Sequence, residues 1–76
     1  MGHKYINNMV KVISGVNQLE AGLTGISVAT VRQMLSQPLN IDAASKPVVN
    51  GETVNEDYVL CDGDELEFVK ASGEKG

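Results

Sequence analysis

Residues 48–54 read Val-Val-Asn-Gly-Glu-Thr-Val, and no other stretch of this chain restricts the fold so tightly. Asn50-Gly51 between two apolar runs fits a type I′ turn, which needs positive φ at both central residues. The two arms are short, so the hairpin must join a larger sheet. Tyr58-Val59-Leu60 then leads into a second turn, Asp62-Gly63-Asp64, in which both aspartates are read as turn formers. Glu65-Leu66-Glu67-Phe68-Val69 alternates polar and apolar. That period belongs to a half-buried strand with Leu66 and Phe68 inward and Glu65 and Glu67 in water.

The first half supplies partners for that strand. Val10, Val12 and Ile13 around Lys11 read as a first strand, punctuated by Gly15 and Asn17. Leu19, Ala21 and Leu23 alternate with Gln18, Glu20 and Gly22, so Gln18 to Leu23 reads as a second strand returning along the first. Gly22 and Gly25 weaken its end. Ser27 reads as a helix N-cap, with Thr30 competing. Val28, Val31, Met34 and Leu35 share one helical face, while Arg32, Gln33 and Gln37 are expected to point away. Pro38 ends the helix, because its ring clashes with helical geometry. Residues 39–46 are expected to be a loop with Leu39 and Ile41 tucked under the sheet. The sum is β-β-α-β-β: an α+β layout with one helix on one face of a mixed sheet of four to five strands.

Seventy-six residues make one domain with a modest core. The reading assigns residues 1–8 to a disordered or tag-derived N-terminus, 9–70 to the folded domain and 71–76 to a flexible tail. No apolar run approaches membrane-spanning length and no secretory pattern is visible. One cysteine cannot form an internal disulfide, so a reducing cytoplasmic setting is expected. Charge is uneven. Residues 1–51 carry +2, whereas residues 52–76 carry −6, with seven acids and no base from Glu52 to Glu67. Such a surface repels nucleic acid and suits a basic protein partner.

Hairpin, turn and tail occur in an order that resembles the β-grasp, or ubiquitin-like, fold, and more narrowly the MoaD/ThiS-like prokaryotic ubiquitin-like proteins. The resemblance rests on Val49 to Val54, on Leu60 followed by Asp62-Gly63-Asp64-Glu65-Leu66, and on a glycine-ended tail, and it covers residues 9–76. It implies a carrier and not an enzyme. An adenylating enzyme of the ubiquitin-activating type would use ATP on the C-terminal carboxylate, and the chain itself would bind no cofactor. The activated carboxylate would then become a sulfur-donating thiocarboxylate or form an amide with a target lysine. The tail residues at issue are Gly73, Lys75 and Gly76. A terminal glycine suits this chemistry, since a thin tail without a β-carbon can enter a narrow adenylating site. Sulfur carriers of the group end in Gly-Gly, whereas this chain ends Gly73-Glu74-Lys75-Gly76. That ending resembles a set of prokaryotic ubiquitin-like proteins that work with adenylating enzymes and metallopeptidases. A sulfur-accepting synthase is the other implied partner.

Other sites are weaker. Cys61 has no nearby histidine to activate it and reads as a buried or half-buried small apolar side chain. His3 lies in the N-terminal segment, and the acids around Gly63 lack the series of a calcium loop. No nucleophile–base–acid set and no phosphate loop are visible. The alternative function is a non-catalytic β-grasp module that docks a basic partner on its acidic half. RNA binding, as in the small α-L domain, would need more bases than Arg32 on the helix.

Overall fold

The strand expected at residues 65–69 becomes the centre of the sheet. The computed structural model describes residues 9–70, and the expectations for residues 1–8 and 71–76 lie outside the described residues. The elements are β1 (Val10–Ser14), β2 (Asn17–Ala21), α1 (Val28–Leu35), β3 (Lys46–Val49), β4 (Glu52–Thr53) and β5 (Glu65–Val69). The sheet order is β2-β1-β5-β3-β4. β5 runs parallel to β1 and antiparallel to β3, and both hairpins are antiparallel. This is the mixed sheet with one helix that the sequence pattern implied.

Turn chemistry fixes the register of both hairpins. Asn50 and Gly51 have φ of 52° and 90°, and Val49 lies opposite Glu52, as a type I′ turn requires. In the first hairpin Ser14 faces Asn17 across Gly15-Val16, with Gly15 at φ 63°. Each register keeps the alternation in phase, so Val10, Val12, Val49, Leu66 and Phe68 all enter one core.

Helix α1 caps that core. The Ser27 hydroxyl accepts the Thr30 N–H at 3.3 Å. Two further N–H groups at the helix start, from Val28 and Ala29, donate to the carbonyls of Tyr58 and Glu56, so segment 56–58 satisfies donors that the helix cannot. Val28 and Val31 are fully buried. Past Leu35 the Ile41 N–H donates to the Ser36 carbonyl, carrying Leu39 and Ile41 into the core as expected.

Several local expectations are corrected. Met34, expected on the face of Val28 and Val31, is 51% exposed, and the helix ends at Leu35, before Gln37. β2 stops at Ala21, because the Leu23 N–H donates back to the Ala21 carbonyl and turns the chain. Leu23 is buried beyond the strand. The loop gives way to β3 at Lys46. Arg32 does not point away: its guanidinium lies 4.8 Å over the Phe68 ring. Cys61 is exposed, because Leu60 fills the inward position and the next residue opens the turn.

Candidate functional site

The two ends of β5 are built differently, and the residues singled out from sequence divide between them. At the start of β5 the Asn50-Gly51 turn and the Asp62-Gly63-Asp64 turn meet. The Cys61 carbonyl accepts the Asp64 N–H at 3.1 Å, and Gly63 takes φ 80°, as the third position of a type II turn requires. Asp64 is buried. Its Oδ1 accepts from Asn50 Nδ2 at 2.9 Å. Its Oδ2 accepts from the Tyr58 hydroxyl at 3.1 Å and from the Cys61 N–H at 2.9 Å. The Asn50 Oδ1 in turn accepts the Glu65 N–H at 3.0 Å. One carboxylate thus ties the tip of the β3–β4 hairpin to the turn before β5. Asp62 takes a separate path and accepts from Thr24 Oγ1 at 2.7 Å.

The electrostatics follow from those partners. Burial pushes the Asp64 carboxyl up, but the Cys61 N–H, the Asn50 amide and the Tyr58 hydroxyl outweigh it and hold the carboxyl below its ordinary value. Tyr58 is held above its ordinary value, first by donating to Asp64, then by burial and by the neighbouring Asp64 charge. A carboxylate held this way is a poor proton acceptor at neutral pH. Its role is structural, and among the described residues no group of three or more His, Cys, Asp or Glu side chains could hold a metal ion.

The far end of β5 is open. Because β1 and β5 are parallel, the Gly15-Val16 tip and Lys70 lie at the same end. A groove of about 390 Å³ runs there, lined by Val16, Asn17, Asn40, Asp42, Val69 and Lys70 among others. Val16 is 98% exposed and Val69 40%. Arg32 braces one wall. It donates to the Ser45 carbonyl at 2.8 Å, to Ser45 Oγ at 3.0 Å and to the Asp42 carbonyl at 3.2 Å, while its Nε donates to Glu56 Oε1 at 3.0 Å.

The sheet face away from the helix carries Lys11 and Ile13 of β1, Glu65, Glu67 and Val69 of β5, and Val48 of β3. The register sets Glu67 between Ile13 and Val48, and Lys11 beside Glu65. Of the acidic run only Asp64 is inside. Glu65 and Glu67 are on this open face, Glu56 pairs with Arg32, and Asp62, still exposed, accepts from Thr24.

Of the residues named from sequence, Asn50, Gly51, Asp62, Gly63 and Asp64 are described, and Asn50 and Asp64 are brought into contact. Gly73, Lys75 and Gly76 lie outside the described residues. Tyr58, Arg32 and the inward course of Asp64 were missed. A signal for Asp64 existed: it shares the period-two face of Leu66 and Phe68. Nothing comparable marked Arg32, whose direction depends on Phe68 and Ser45 arriving from elsewhere.

Comparison with solved structures supports this fold. The N-terminal ubiquitin-like domain in the 4931431F19Rik protein, determined in solution, aligns over 99% of this chain and 88% of its own, with a TM-score of 0.62 and 16% identity. The chain has a ubiquitin-like fold. No protein-family model matches the sequence, and no curated protein matches it. At that identity the likeness concerns fold, and function must be argued from residues.

Proposed function

We propose that this ubiquitin-like chain acts as a carrier or modifier whose Gly76 carboxylate is adenylated by a partner enzyme. The carboxylate then passes on sulfur as a thiocarboxylate or forms an amide bond to a target protein. The observation that carries this reading is the position of β5. It is central in the sheet, flanked by β1 and β3, and it leads straight into the residues that end in Gly73-Glu74-Lys75-Gly76. A fixed central strand gives the segment that follows it a rigid base, which suits delivery of a thin glycine-ended chain to another protein's active site. The chain's part is to be recognised and to present its carboxylate. ATP is consumed by the adenylating partner, and a metallopeptidase or a sulfur-accepting synthase would act afterwards.

The test is the intact mass of the protein recovered from its own host, followed by fragmentation of the C-terminal peptide. Oxygen-to-sulfur exchange at Gly76 supports the sulfur-carrier form, and an isopeptide bond from Gly76 to a lysine supports the modifier form. Deleting Gly76 should abolish either product while leaving the melting temperature unchanged. Products that persist after that deletion, or a mature chain that continues unprocessed beyond Gly76, would sink the reading.

A further inference from the structure

The hairpin tip that organises the locked end of the sheet is also a chemically reactive sequence. In Asn50-Gly51 the residue after the asparagine has no side chain to obstruct its nitrogen. The Gly51 nitrogen can attack Cγ of Asn50. The bond from Cγ to Nδ2 breaks, ammonia leaves with the proton given up by the Gly51 nitrogen, and a cyclic imide forms. Water then opens the imide at either carbonyl, giving aspartate or isoaspartate. The balance is asparagine plus water to acid plus ammonia, with no oxidant or reductant.

Three features of the turn bear on this reaction. Both side-chain ends of Asn50 are held: Nδ2 donates to Asp64 at 2.9 Å, and Oδ1 accepts the Glu65 N–H at 3.0 Å. The partners fix the amide's orientation, because a carboxylate only accepts and an N–H only donates. The backbone of Asn50 is held as well, since its N–H donates to the Glu65 carbonyl at 2.9 Å. All three bonds tie Asn50 to Asp64 and Glu65, so its amide cannot turn freely toward the next residue. By contrast Gly51 is exposed, and a β-carbon placed on it would touch nothing within 4 Å. The turn is therefore open to water, and the electrophile is restrained.

We infer that Asn50 is a deamidation site which the contact with Asp64 keeps unreactive while the turn is closed. The inference does not depend on the proposed function. Reaction requires the Asn50 amide to leave both partners and rotate toward Gly51. Once it has happened the turn cannot close as before. The donor to Asp64 has become an acid, and two carboxylates then face each other across a gap built for one hydrogen bond. An isoaspartate would also lengthen the backbone inside a two-residue turn whose register leaves no space for it.

The experiment follows the amide at position 50 by peptide mapping, with isoaspartate detection, in mildly alkaline buffer at body temperature. Folded wild type, wild type unfolded in urea, D64A and D64N are compared, with circular dichroism reporting whether each variant is folded. The folded wild type should react roughly tenfold or more slowly than the unfolded chain, because only the open fraction reacts. Folded D64A should react several-fold faster than folded wild type, though short of the unfolded rate, because the two bonds to Glu65 remain. Should D64A fail to fold, D64N carries the test. It replaces a charge-assisted hydrogen bond with a neutral one, so its rate should fall between the other two. A folded wild type that reacts as fast as the unfolded chain would overturn the inference, as would folded D64A or D64N reacting at the wild-type rate.

Discussion

One strand, β5, has a closed end and an open one. Where it begins, a buried carboxylate gathers Asn50, Tyr58 and the Cys61 N–H. Where it finishes, Val16 and Val69 flank a groove with much of their surface in water. The closed end spends polar groups on one another, and the open end leaves apolar groups available. Stability should therefore be concentrated at residues 50–64, while substitutions at Val16 and Val69 should be tolerated by the fold.

The hardest way to break that contrast is to remove the carboxylate. D64A leaves three donors without their acceptor, and should cost about 2–3 kcal/mol, since stranded partners of a buried charge lose most of its hydrogen-bond energy. Urea unfolding would measure it, and a loss no larger than that of a surface substitution would mean the end is not locked. Acid should imitate this variant. Because the Asp64 carboxyl is held below its ordinary value in the fold, its contribution is present above the ordinary carboxylate range and is lost as pH falls through the lowered value. Tyr58 acts at the other limit. Its hydroxyl is held above its ordinary value, so that contribution is complete below the ordinary tyrosine range and is lost as pH rises through the raised value. Melting curves across both ranges should show the acid loss disappear in D64N.

Smaller effects sharpen the comparison. G51A should cost about 1–2 kcal/mol, the penalty for a β-carbon at positive φ, although the space around it is open. R32A should cost about 1–2 kcal/mol, from the loss of a cation–π contact, a partly exposed ion pair and the hydrogen bonds to Ser45 and Asp42. It should also loosen the Asp42–Ser45 wall of the groove, which hydrogen exchange would register at those amides. V16S should change stability by less than about 0.5 kcal/mol, and a larger loss would mean that the open end carries structural weight after all.

Much of the closed end could be read in the sequence, and little of the open end. Asn50-Gly51 and Gly63 announced their turns because positive φ has few tolerated residues. Leu66 and Phe68 announced their face by alternation. The helix start followed from Ser27, because capping acts locally, whereas the helix ends at Leu35, three residues before the proline expected to stop it. What failed was non-local. That Asp64 meets Asn50 depends on β3 lying beside β5, and no spacing encodes that pairing. Cys61 was expected inside because cysteine is often buried, yet its place in the turn turned it outward. The acidic run looked like one surface, but folding sent Asp64 inward and gave Glu56 to Arg32. The groove joins Val16, Asn40 and Lys70 from three distant segments, so no local pattern could have announced it.

The parallel pairing of β1 with β5 also governs how the protein can come into being. Lys11 pairs with Glu65 and Ile13 with Glu67, so the middle of the sheet is filled by a late segment docking beside an early one. Until it arrives, the two hairpins share no strand, and β1 and β3 expose the sides they will later bond. A nascent chain emerging in order must hold its first hairpin unsupported while most of the domain is still being made. Closing so long a loop is slow. A fragment ending before Glu65 would lose more than a fifth strand, because it would lack the seam that makes two hairpins one body.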